Sequence, residues 1–214
     1  MKNFSIRTEK FQKCTAGSLP VLMVLAILAF TYPVNGQTLY KITDGTLVKV
    51  SGTSNLHDWT MLSKSSVCEG NFVVKDGTLQ AISSLNFSLP VATLKSKDDL
   101  MDTRAHKTLK AAQFNKITFK LIEATVLPQQ KMINAVGNLT IGGVTNKTTL
   151  QVTYVLTNDK SLIFKGSKLI KMSDHKIKAP SFMLGALKTG DEVTIDLLLK
   201  FKKSDIIPTN NNTK

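Results

Sequence analysis

Cysteine is nearly absent from this 214-residue chain, with one at Cys14 and one at Cys68. Only Cys68 lies beyond the N-terminal apolar run, and one thiol makes no internal disulfide, so a disulfide scaffold is excluded. Arginine is as rare: Arg7 and Arg104 stand among 28 basic residues, the rest lysine. Arginine provides the bidentate reading of phosphates and bases, so we expect no nucleic-acid partner. The three histidines, His57, His106 and His175, show no zinc-motif spacing, and Cys68 has no CxxC neighbour. No metal site is expected. There is no GxSxG, no HExxH and no phosphate-binding glycine loop, so no catalytic set and no cofactor are expected either. Long apolar runs are also lacking. The one present, Leu19–Phe30, is shorter than the ~20 residues that span a bilayer as a helix.

That run is part of a three-part pattern. Lys2, Arg7, Lys10 and Lys13 precede it, and Pro33 and the small Gly36 follow. This is the layout of a secretory signal peptide, with cleavage expected after Gly36 and an exported product, periplasmic or secreted. An uncleaved anchor is the alternative. Cys14 precedes the apolar run and so is not a lipoprotein cysteine. Most of the net charge of +13 lies beyond Gly36 and is carried by lysine. It implies a basic outer surface, suited to weak contact with anionic membranes or to solubility alone.

From Thr38 onward apolar residues recur with period two. Leu85, Phe87, Leu89 and Val91 alternate with Ser84, Asn86 and Ser88, as Ile117, Phe119 and Leu121 do with Thr118 and Lys120. Further sets are Ile133, Ala135, Gly137, Leu139 and Ile141; Leu150, Val152, Tyr154 and Leu156; Leu162 and Phe164; and Val193 through Phe201. Such alternation makes strands with one wet and one dry face. Turn signals fall between them at Asp44-Gly45, Asp76-Gly77, Gly142-Gly143, Asn158-Asp159 and Thr189-Gly190. The expected fold is mainly β, an antiparallel barrel of about eight strands over residues 37–203. One helix is expected at Asp98–Ala112, with Ser96 as N-cap and an apolar stripe of Leu100, Met101, Ala105, Leu109 and Ala112 against the sheet. His106 is expected to be solvated, His175 exposed on a strand, and Asp191-Glu192 a solubilising turn. The tail from Ser204 is expected to be disordered. Asn-x-Ser/Thr triplets at Asn86, Asn138, Asn146 and Asn211 are read as chance.

The segment Gly52-Thr53-Ser54-Asn55-Leu56-His57-Asp58-Trp59 sets a histidine, an acid and the single tryptophan at a strand end. Together with Asn138–Lys147, Leu184-Gly185 and Lys188–Val193, it resembles the YceI-like family. The resemblance covers nearly all of Thr38–Lys203. It implies a lipocalin-like barrel, hollow enough to hold a long-chain apolar lipid of polyisoprenoid or fatty-chain type. The candidate ligand walls are the dry faces: Leu85, Phe87, Phe119, Leu121, Ile133, Leu139, Leu150, Tyr154, Phe164, Ile195 and Leu197. His57, Trp59 and Tyr154 are candidates to meet a polar head or narrow the cavity. Two other readings stay open, a structural or adhesive envelope protein with a filled barrel and a barrel enzyme acting on a lipid. Alternation alone does not separate hollow from filled, because both need the same pattern.

Overall fold

The computed structural model describes residues 37–204. The expected leader and its cleavage point, Cys14, Asn211 and the tail beyond Ser204 lie outside them. Eleven strands and one α-helix follow in order: β1 Thr38–Ile42, β2 Leu47–Ser54, β3 Trp59–Ser63, β4 Val67–Lys75, β5 Thr78–Pro90, α1 Asp99–Thr108, β6 Lys116–Leu127, β7 Met132–Ile141, β8 Val144–Leu156, β9 Leu162–Lys171, β10 Ser181–Phe182 and β11 Leu187–Lys203. No helix among the described residues is long and apolar enough to cross a membrane.

Every pairing is antiparallel, and eight strands close a ring in the order β1-β4-β5-β6-β7-β8-β9-β11, with β11 returning to β1. The reason for three further strands lies in β11. At 17 residues it is longer than β1 can cover. Its C-terminal end pairs β1, with Phe201 opposite Ile42, while its N-terminal half pairs β2, from Thr189 opposite Ser54 to Leu198 opposite Leu47. β3 pairs β2 and then reaches the chain after β5 through Leu62 N–H to Lys95 O (2.7 Å) and Lys95 N–H to Leu62 O (2.8 Å). The wall is therefore closed at two levels, which we call lower (β1 and β4) and upper (β2 and β3). β10 pairs only the start of β11.

The lower end is solid. Tyr40, Phe72, Leu79, Tyr154, Leu162 and Phe201 are buried there. Phe72 stacks on Tyr40 with ring centroids 5.0 Å apart and meets Phe201 edge-on at 5.2 Å. Phe164 completes the group, 5.0 Å from Phe201 and 5.6 Å from Phe72. Gly70 is required here, since a Cβ at that position would lie 2.6 Å from the Phe72 ring. Cys68 packs in this core. Burial, with Glu69 adjacent, pushes its thiol pKa far up, so it is an inert apolar filler.

Several expectations are corrected. The helix is shorter than Asp98–Ala112, and its N-cap is Asp98, whose carboxylate accepts from Leu100 N–H at 2.8 Å. Ser96 instead accepts from Asp98 N–H one step earlier. Leu100 and Ala112 are exposed, so the apolar stripe reduces to the half-buried Met101, Ala105 and Leu109. Thr189-Gly190 is no turn but lies inside β11, beside a bulge between Thr189 and Val193. Ser204 is not loose, because its N–H donates to Leu39 O at 2.8 Å.

Candidate functional site

Above the aromatic floor the barrel is hollow. An inner chamber of about 110 Å³ is enclosed by β2, β5–β9 and β11. Ten of the thirteen candidate residues stand on its wall: Leu85, Phe87, Phe119, Leu121, Ile133, Leu139, Leu150, Phe164, Ile195 and Leu197. Their strands place them there by alternation: successive inward residues of β11 descend through Val193, Ile195, Leu197, Leu199 and Phe201, from open space to solid core. Gly137 lets the Phe119 ring lie flat on β7, since a Cβ there would meet it at 2.2 Å. Lys168 is the one charged side chain on this wall. It departs from the expectation that strand lysines face water, and its aliphatic stem covers apolar surface as long lysines do.

A larger chamber of about 340 Å³ lies above and opens to the surface. Val50, Ile117 and Ile195 border both spaces, so the two adjoin, one above the other. His57 and Trp59 line the upper chamber, where the GTSNLHDW segment joins β2 to β3. The Trp59 indole N–H donates to Thr53 O at 3.2 Å, and its ring lies over Gly52, where a Cβ would come within 2.3 Å. The turn is ordered through the backbone of His57. Ser54 Oγ donates to His57 O at 2.7 Å and accepts from His57 N–H at 3.1 Å. Tyr154 lies on neither chamber wall. It is buried in the lower core, where its hydroxyl donates to Leu79 O at 3.4 Å.

Two further elements build the mouth, and the sequence reading gave neither its full role. Helix α1 faces the chamber with Met101, Arg104, Ala105 and Thr108, and Leu109 follows at its C-cap. It is tied down by Asp102, which is 3 % exposed. Its carboxylate accepts from Ser96 N–H at 2.7 Å and pairs with the Lys95 ammonium at 3.4 Å. Burial alone would raise the pKa of Asp102, but those hydrogen bonds and the Lys95 charge prevail and hold it below the usual carboxylate range. His106 is not free in solvent, because its Nε2–H donates to Leu94 O at 2.9 Å. The second element is the one-turn 3-10 helix Met172–His175. His175 is 3 % exposed rather than solvated, and its Nδ1–H donates to Val144 O at 3.1 Å. Asp191, set beside the β11 bulge, accepts from Ser173 Oγ (2.5 Å) and Ser173 N–H (2.9 Å). The hydroxyl bond first, then the amide bond, lowers its pKa. A residue expected to be mere turn polarity thus pins the turn that carries Met172 and His175 into the chamber wall.

No group of three or more His, Cys, Asp or Glu among the described residues is placed to hold a metal. The arrangement can take up an apolar chain from the mouth and seat its end against the inner wall, where Lys168 is the one charged group.

The YceI-like domain family matches residues 38–201 of the chain. Among solved structures, the chain is similar to BcnA of Burkholderia cenocepacia, at 19% identity and TM-score 0.59, over 72% of this chain and 94% of that one. A domain from Saccharophagus degradans described as polyisoprenoid binding matches at 14% identity and TM-score 0.56, over 77% and 98%. A YceI protein of Campylobacter jejuni matches at 16% and 0.51, over 64% and 82%. At these identities the likeness to each structure is one of fold. No curated protein matches the chain.

Proposed function

The chain belongs to the YceI-like family, and from that premise we propose that it is an exported carrier of one long apolar molecule of polyisoprenoid or fatty-chain type. The observation that carries this reading is a 340 Å³ mouth chamber adjoining a 110 Å³ inner chamber whose wall is apolar but for Lys168. The Saccharophagus domain of the same fold is described as a polyisoprenoid binder, which supports the ligand class. Binding works by burial. Each methylene moved from water to such a wall contributes about 0.8 kcal/mol, so a chain of moderate length offsets the loss of its freedom without a strong polar contact. Export rests on the N-terminal pattern of Lys2, Arg7, Lys10 and Lys13 before the apolar run.

We favour binding without turnover. The hydroxyl of Ser54 is engaged with the His57 backbone, and His175 with the Val144 carbonyl. Neither is arranged as a nucleophile beside its base. The filled-barrel reading is disfavoured by the two chambers.

Trp59 is the single tryptophan of the chain and lines the mouth chamber, so its fluorescence reports that space directly. Titration with geranylgeraniol is expected to give a saturable change in Trp59 emission with one-to-one stoichiometry. A linear, unsaturable response would contradict the carrier reading.

A further inference from the structure

We infer that the two loops around the mouth form a docking surface for an anionic lipid bilayer. The first loop carries Leu56 and His57, and the second runs from Lys176 to Lys188. Both border the upper chamber, through Leu56 and His57 on one side and Pro180, Leu187 and Lys188 on the other. Three large apolar side chains stand outward on them: Leu56 at 67%, Met183 at 74% and Leu184 at 110% exposure. Single exposed apolar residues are ordinary on a soluble protein, but three on the rim of one apolar opening make a patch that needs a partner.

The rim is held in this form. Met183, Leu184 and Gly185 have φ of 52°, 54° and 91°, a left-handed run that leucine and methionine rarely adopt. Asn55 bridges the two loops. Its Nδ2 donates to Ala186 O at 2.7 Å, its Oδ1 accepts from Lys188 N–H at 2.9 Å, and its own N–H donates to Lys188 O at 3.1 Å. The two apolar tips are therefore fixed relative to each other and to the opening.

Charge selects the occupant. Lys176, Lys178 and Lys188 are exposed on the second loop, and no acid occurs from His175 to Gly190. Asp58, at the end of the first loop, is the one acid in the two. Apolar tips on a loop with three exposed lysines fit the boundary between anionic headgroups and acyl chains. The surface rests on the carrier reading for its purpose, passing an apolar chain between bilayer and chamber without crossing water. Its test does not depend on that reading.

The test is co-sedimentation of the purified protein with vesicles of phosphatidylglycerol and phosphatidylcholine in equal parts, beside vesicles of phosphatidylcholine alone. Preferential binding to the anionic vesicles is expected. Leu184→Asn, whose new residue tolerates the left-handed backbone, should weaken it about tenfold, the equivalent of losing one buried leucine. Lys178→Glu should weaken it at least fivefold and flatten its salt dependence. Val155→Asn, an exposed apolar residue at the lower end, is expected to change nothing. Equal loss in Leu184→Asn and Val155→Asn, or no loss in Leu184→Asn with melting temperature intact, would overturn the inference. So would a wild-type dimer that Leu184→Asn turns into a monomer with vesicle binding unchanged, which would make the rim a contact between copies. Absence of co-purified lipid with vesicle binding intact would count against the carrier reading alone.

Discussion

At the lower end of the barrel four aromatic rings fill the space between the strands, with centroids 5.0–5.6 Å apart. At the upper end the same wall presents Val50, Ile117 and Ile195 around open volume, with helix α1 and the Met172–His175 turn standing over it. Both ends share the alternation of the strands that run between them. They differ in what the inward positions carry and in how the end is held. The lower end is held by ring packing. The upper end is held by polar ties, Asp102 to Ser96 and Lys95, His106 to Leu94 and Asp191 to Ser173, which keep the roof in place without filling the space beneath it. The comparison separates a stability end from a binding end, and substitutions at each should separate accordingly.

The largest effect is expected from Phe72→Ala, which removes a fully buried ring from the packed end. It should destabilise the protein by about 3–5 kcal/mol in chemical denaturation, while folded molecules still bind geranylgeraniol. A loss well under 1 kcal/mol would show that the lower end is not the stability end.

Next comes Asp102→Ala, which leaves Ser96 N–H without its buried acceptor and should cost about 1–3 kcal/mol. It also has a pH signature. The pKa of Asp102 is depressed on folding, so its contribution is complete above the unfolded carboxylate value of about 3.9 and is lost as pH falls through the lower, folded value. The variant should therefore show a shallower decline in stability on the acid side than the wild type, measured by melting temperature between neutral pH and the acid transition. An unchanged acid limb would mean that other carboxylates carry it.

Ala105→Phe places a ring into the mouth chamber rather than into packed core. Its stability should stay within about 0.5 kcal/mol of the wild type, because the ring enters open volume. Its Trp59 response to geranylgeraniol should disappear. Overpacking by about 1–3 kcal/mol would instead mean that the upper end is not hollow in solution. The smallest effect on stability is expected from Leu184→Asn, exposed at the rim, at or below about 0.5 kcal/mol by thermal denaturation.

The barrel was legible because alternation reports the dry face of a strand whatever lies behind it. Phe87, Phe119, Leu139 and Leu197 fall inward as expected for that reason. β3 and β4 were harder to read. β3 is five residues long, and the register of β4 slips at Asn71/Phe72 and Val73/Val74, which breaks its period. The division into solid and hollow ends was not legible, because the filling rings come from Tyr40, Phe72, Phe164 and Phe201, far apart in the chain. Tyr154 was assigned to the ligand wall on the same alternation and falls on the solid side of that boundary. His175 was expected to be exposed and Asp191 to be a solubilising turn residue. Their roles depend on partners 31 and 18 residues away, which no local pattern announces.

Native mass spectrometry of the purified protein, with organic extraction of whatever it carries, tests the central claim most directly. The account predicts a mass above that of the polypeptide by one apolar lipid molecule, released into organic solvent and missing from Ala105→Phe. The bare polypeptide mass in both proteins, even after incubation with geranylgeraniol, would contradict it.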